Sequence, residues 1–163
     1  VICLKKKFAI VSFNFPPDFG AAAFRMQSLV EAIRNRHQLH DLDLKITVIC
    51  AKPFRYRYGG KADLAQSSNY TPKNSLSSLE DNIEIIRLGV PLFGRGFVSE
   101  SLSYLFFLVQ GVVVLVWIRP NLIFATSAKL LTSYLGALGS LITGATLCVD
   151  IRDTFSDNFF ILF

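Results

Sequence analysis

At 163 residues the chain is one domain long, enough to bury a real core. Hydrophobic residues make up 52% of it and the mean hydropathy is +0.43, apolar even for a sheet covered on both faces. Lys and Arg exceed Asp and Glu by 17 to 12, a balance of +5 that favours anionic partners such as a lipid surface, a nucleotide diphosphate or nucleic acid, with an ordinary solvated basic surface as the plain alternative.

Three cysteines do not pair evenly, and they lack CxxC or Cys/His spacing, which argues against metal binding. Cys50 and Cys148 read as buried strand thiols of a reducing cytoplasm. No secretory leader is expected, because Lys5, Lys6 and Lys7 precede only a short apolar run with no small-residue cleavage site.

In chain order, the apolar run Phe8 to Phe13 predicts a parallel strand covered on both faces, centred on Ala9 to Ser12. It stops at Asn14-Phe15-Pro16-Pro17-Asp18-Phe19-Gly20. The two prolines have no backbone N–H to give to strand or helix. Gly20 lets the backbone approach a ligand closely, and the helix that follows points its free N–H groups at the same place. That is an anion site at the carboxyl end of a strand. The helix is expected over 21–36, with Ala22, Met26, Leu29, Val30 and Ile33 on its apolar face. Arg34, Arg36 and His37 suit the negative end of its dipole. Arg25, near the positive end, makes sense beside an anion or a carboxylate; the alternative is an arginine reaching into water.

A second strand is expected over Leu44 to Ala51. The polar turn before it gathers His37, His40, Asp41 and Asp43 away from the strands' carboxyl ends, which argues against a metal. From Lys52 to Asn82 the periodicity dissolves into a long loop, of the kind that is functional or mobile in compact domains. Its Arg55, Tyr56, Arg57 and Tyr58 suit a sugar, a phosphate or a lipid headgroup, or else mark a plain surface loop.

A third strand spans Ile83 to Leu88, and Ser99 reads as the N-cap of a helix over 100–118. Leu102 to Ile118 carries no charge and is apolar all round. It reads as a crossover helix on the sheet, with one face left for a membrane or a further domain; a transmembrane span is the alternative. Arg119-Pro120 ends it. A fourth strand follows over 121–125. Then Thr126 and Ser127 precede a helix over 128–143, whose expected apolar face is Leu130, Leu131, Tyr134, Leu135, Leu138, Leu141 and Ile142, with Gly144 as C-cap. A fifth strand, 146–151, delivers Arg152, Asp153 and Thr154.

The alternation predicts an α/β, doubly wound, Rossmann-like domain with a mostly parallel sheet of about five strands. Right-handed crossovers bring Pro17 to Gly20, Thr126, Ser127 and Arg152 to Asp157 to one edge. An Asp leaving a buried strand can bind a sugar hydroxyl or act as a base, or it can form a structural pair with Arg152.

PPDFGAAAFR resembles the PPxxGGxxxR signature of family 4 glycosyltransferases, enzymes of two Rossmann domains (the GT-B fold). The segment Asp150-Ile151-Arg152-Asp153-Thr154-Phe155 resembles a second stretch of that family, its RD-bearing branch. The resemblance covers residues 1–163 as an incomplete amino-terminal, acceptor-side domain; the donor domain, with its E-x7-E motif, lies outside these residues. It implies transfer of a sugar, with retention, from a nucleotide-sugar donor to a lipid-linked or saccharide acceptor in cell-surface polysaccharide synthesis. Little activity is expected of this domain alone. It implies Gly20, Ala21 and Arg25 at the donor phosphates, with Ala21 standing where the family has a second glycine. Asp18, Ser127, Arg152 and Asp157 would face acceptor or sugar. The family's histidine after strand five is replaced here by Arg152 or Asp153, so its role does not carry over. Asp153 is the catalytic candidate from its place at a strand end. No metal, cofactor or nucleic acid is implied, and the expected location is the cytoplasm or the inner membrane surface. Two other readings stay open: a non-catalytic binding module, and a membrane-spanning protein built on Leu102 to Ile118. A dinucleotide-dependent oxidoreductase would share the architecture but lacks its G-x-G-x-x-G turn.

Overall fold

The computed structural model describes residues 6–18, 20–40, 44–52, 82–91, 97–126 and 130–151. Its elements are β1 (Lys6–Val11), α1 (Ala21–His40), β2 (Leu44–Ala51), β3 (Ile83–Leu88), α2 (Phe97–Ile118), β4 (Leu122–Thr126), α3 (Leu130–Thr143) and β5 (Thr146–Asp150). The five strands form one sheet in the order β3-β2-β1-β4-β5, and every pairing is parallel. Sequence order reverses at β1, whose neighbours β2 and β4 are reached by connections running in opposite directions. A doubly wound, Rossmann-like α/β domain is the result, as the alternation predicts.

The strands read as apolar runs because both faces are covered. On one face Phe8, Ile10, Ile46, Val48 and Cys50 pack with Met26 and Val30 of α1, while Leu29 and Ile33 complete the helix's predicted stripe. On the other, Ala9, Val11, Ile49, Ile123 and Ala125 meet Phe107 and Leu115 of α2 and Leu135 of α3. Each such aliphatic side chain, fully buried, stabilises the fold by roughly 1.5–3 kcal/mol.

β2 and β3 have the predicted bounds, and the other elements shift at their ends. β1 begins at Lys6, since Lys6 and Lys7 pair with Leu44 and Lys45 while their side chains stay exposed. α1 runs to His40, so His37 and His40 belong to the helix and not to a turn; Asp41 and Asp43 lie outside the described residues. α2 starts at Phe97, which puts Ser99 inside the helix, where it cannot be the N-cap. β4 and β5 end at Thr126 and Asp150, and α3 starts at Leu130.

Two corrections concern burial. Cys148 is exposed, because the face of β5 it occupies has no helix over it among the described residues. In α3 the buried positions are Thr132, Leu135, Gly136 and Gly139, whereas Leu131, Tyr134, Leu141 and Ile142 face outward. Close approach decides this. A Cβ on Gly136 would lie 2.6 Å from the Ala125 Cβ, and one on Gly139 2.4 Å from Leu115 Cδ1. The small side of α3 is the only side that fits at that distance.

α2 is sealed against the sheet through Phe107 and Leu115 and tied to the segment before it by side chains. Ser103 Oγ donates to the Pro91 carbonyl at 2.7 Å, and Gln110 Nε2 to the Gly89 carbonyl at 2.9 Å. Gly144, at φ 74, closes α3 as predicted, its N–H reaching the Ser140 carbonyl at 2.8 Å.

Candidate functional site

All five strands point their carboxyl ends to one edge, and at the switch point β1 leaves the sheet through Ser12 to Asp18. Two bonds carry the departure along β2: Ser12 N–H to the Ile49 carbonyl and Ala51 N–H to the Phe13 carbonyl, both 3.1 Å. Two aromatic rings then pin the turn from opposite sides. Phe13 enters the α2 layer, with ring centroids 4.5 Å from Tyr104 and 5.1 Å from Phe107. Phe15 is fully buried in the α1 layer. Alternation across the strand plane thus continues past the strand itself and fixes where the prolines sit.

The Pro16-Pro17 peptide is cis, and Asp18 N–H bonds the Phe15 carbonyl at 3.1 Å, closing a tight turn. The turn carries the Asp18 side chain inward, to 3% exposure. Gly20 follows at φ 155, and its carbonyl accepts the Phe24 N–H at 3.1 Å, so Gly20 occupies the N-cap position of α1.

An arginine from the far edge strand holds this turn. Arg87 of β3 stands opposite Cys50 of β2 in the ladder and shares a face with Ile83 and Ile85. Its Nη1 lies 3.8 Å from the Cys50 Sγ, and its Nη2 donates to the Pro16 carbonyl at 2.6 Å. The guanidinium therefore bridges three strand ends with one charge-assisted bond, worth about 1.5–3 kcal/mol. Burial pushes the Cys50 thiol up to about 12; the Arg87 charge opposes that shift and the Asp18 carboxylate adds to it. Cys50 is thus a protonated core thiol at neutral pH, with a cation and an anion both within electrostatic reach.

Of the residues singled out from sequence, Asp18, Gly20, Ala21 and Arg25 fall on this turn and the first turns of α1. Asp18 is buried, Gly20 half-buried, and Ala21 and Arg25 exposed. At the neighbouring strand ends, Thr126 is buried opposite Asp150 in the β4–β5 ladder, and Thr132 of α3 donates its hydroxyl to the Thr126 carbonyl. Ser127, Arg152, Asp153 and Asp157 lie outside the described residues, as does the Arg55 to Tyr58 segment.

Sequence reasoning missed Arg87. Its signal was available: a lone cation near the end of an apolar strand, two residues beyond Ile85 and so on the same face. A strand arginine at that position needs an acceptor at the sheet's edge. The arrangement sets the Asp18 carboxyl group and the amino end of α1 side by side, which suits polar ligands with hydroxyl groups at the one and phosphate at the other. A comparison with family models finds no match for this chain, and a search of curated proteins finds none.

Proposed function

We propose that this chain is the acceptor-side, Rossmann-like domain of a sugar transferase that uses a nucleotide-sugar donor and a lipid-linked or saccharide acceptor. The observation that carries the reading is the buried Asp18 in the turn at the switch point, held by Arg87 and leading directly into α1. In open α/β sheets, ligands bind in the crevice at this place. A carboxylate fixed by a rigid loop orients sugar hydroxyls, and the amino end of α1 favours phosphate charge. The resemblance of PPDFGAAAFR to a transferase signature supports the same reading. In this reading the donor is held mainly by a second domain of the same kind, and Asp153 serves catalysis.

Equilibrium dialysis of the full chain against labelled nucleotide sugars and polyprenyl-phosphate-linked saccharides tests this. Binding of at least one of these classes is expected. Asp18→Asn should weaken it about tenfold, the value of one charge-assisted hydrogen bond. Binding of a nicotinamide dinucleotide instead, with neither sugar ligand retained, would overturn the reading.

A further inference from the structure

Two helices of one layer turn apolar side chains away from the protein. On α2, Leu105, Val109, Val113 and Trp117 recur every four residues as exposed positions, while Phe107 and Leu115 are buried against the sheet. On α3, Leu141 and Ile142 do the same. Exposure is greatest where both helices end, at 78% for Trp117 and 82% for Leu141. Gly111 meets Leu135, and Gly139 meets Leu115, so the helices lie side by side and their outward strips adjoin.

Charge at the carboxyl end of α2 is basic, while the acidic Glu100 belongs to its first turn. Between Ser101 and Val149 the only charged residues are Arg119 and Lys129, and both are basic. Exposed Arg119 follows the end of α2, and exposed Lys7, on the same face of β1 as Ala9 and Val11, sets its Nζ 3.0 Å from the Ile118 carbonyl. Two cations therefore rim the end of the strip that carries the protein's single tryptophan.

We propose that the outer side of the α2–α3 layer docks on the surface of an anionic lipid bilayer. Trp117, Leu141 and Ile142 enter the headgroup boundary, while Lys7 and Arg119 meet anionic headgroups. An amphipathic rim of tryptophan and snorkelling cations beside an apolar strip is the pattern that interfacial helices present to lipid. α2 is long and apolar enough to cross a membrane by length and composition. However, it joins β3 to β4 of one sheet, and Phe107 and Leu115 seal it along that sheet, so it lies flat. A second copy packed parallel through the same strip would bring Lys7 and Arg119 against their counterparts, whereas anionic headgroups neutralise them. This inference does not depend on the transferase reading.

Flotation of the full chain with phosphatidylcholine vesicles, with and without phosphatidylglycerol, tests it. The protein should float only with the anionic vesicles, Trp117 emission should shift to the blue, and added salt should release it. Lys7→Gln and Arg119→Gln should each weaken partition about fivefold. Leu141→Ser should weaken it at least about tenfold, with circular dichroism unchanged. Three results would overturn the proposal: folded protein that stays unbound, equal binding to both vesicle types, or dimerisation without lipid that buries Trp117.

Discussion

α1 and α2 occupy equivalent places on opposite faces of the sheet, and their outward sides could hardly differ more. Each seals one apolar stripe: Met26 and Val30 for α1, Phe107 and Leu115 for α2. Beyond that stripe α1 shows solvent Arg25, Ser28, Asn35 and Arg36, whereas α2 shows it Leu105, Val109, Val113 and Trp117. One stripe is all that a crossover helix needs in order to pack. The second stripe of α2 therefore adds nothing to the sheet's core, and its chemistry reports on what lies outside the domain.

The largest test of this contrast is within α2 itself. Phe107→Ala removes the ring that packs edge-on against Phe13 and should cost about 3–5 kcal/mol in denaturant unfolding. Trp117→Ala on the outward side should change stability by no more than about 0.5 kcal/mol. Equal costs would mean that both stripes hold the fold, and the contrast would break.

The α1 face is tested by alkali. The unfolded Cys50 thiol ionises near 9.0, while the folded one stays protonated until about 12. The unfolded state loses its proton first, so this contribution is fully present below pH 9.0 and is lost as pH rises through 12. Relative to Cys50→Ala, wild-type stability should fall by roughly 4 kcal/mol across that window. Parallel pH profiles for the two proteins would show that the thiol is not buried on the α1 face.

A smaller effect sharpens the picture of the α2–α3 layer. Gly136→Ala sets a Cβ against the fixed Ala125 Cβ and should cost about 1–3 kcal/mol. Gly111→Ala meets only the swinging end of Leu135, and its gain in helix propensity should bring it within about 1 kcal/mol of wild type. The reverse ranking, read from thermal melts, would place the tight contact between the helices and not between α3 and the sheet.

Much of the fold was legible because parallel strands buried on both faces are written as unbroken apolar runs. Leu44 to Ala51 and Ile83 to Leu88 were readable to the residue. The buried side of α3 was not, since periodicity ranks residues by apolarity, while contact distance selected Gly136 and Gly139 over Leu141 and Ile142. The turn at Pro16 to Gly20 announced itself through residues that cannot extend a strand. Arg87 showed itself only as a cation in an apolar strand in want of an acceptor; the acceptor itself was hidden, because a carbonyl 71 positions away leaves no local trace. Ser99 misled for a related reason: a good capping residue says where a helix is able to start, and the chain began one sooner, at Phe97.

The junction between β1 and β4 has a consequence for the order in which the protein assembles. β1, α1 and β2 form one contiguous stretch, as do β4, α3 and β5, so each half can gather largely from its own neighbours. They meet along four ladder positions of β1, extended by a reciprocal pair in which Lys7 N–H donates to Asn121 Oδ1 at 2.9 Å and Asn121 N–H to the Lys7 carbonyl at 2.8 Å. That pair spans 114 positions, a closure whose chain entropy is about 4 kcal/mol. Joining the halves is therefore the most expensive loop to close in this sheet, and a single asparagine side chain sits where the zipper starts.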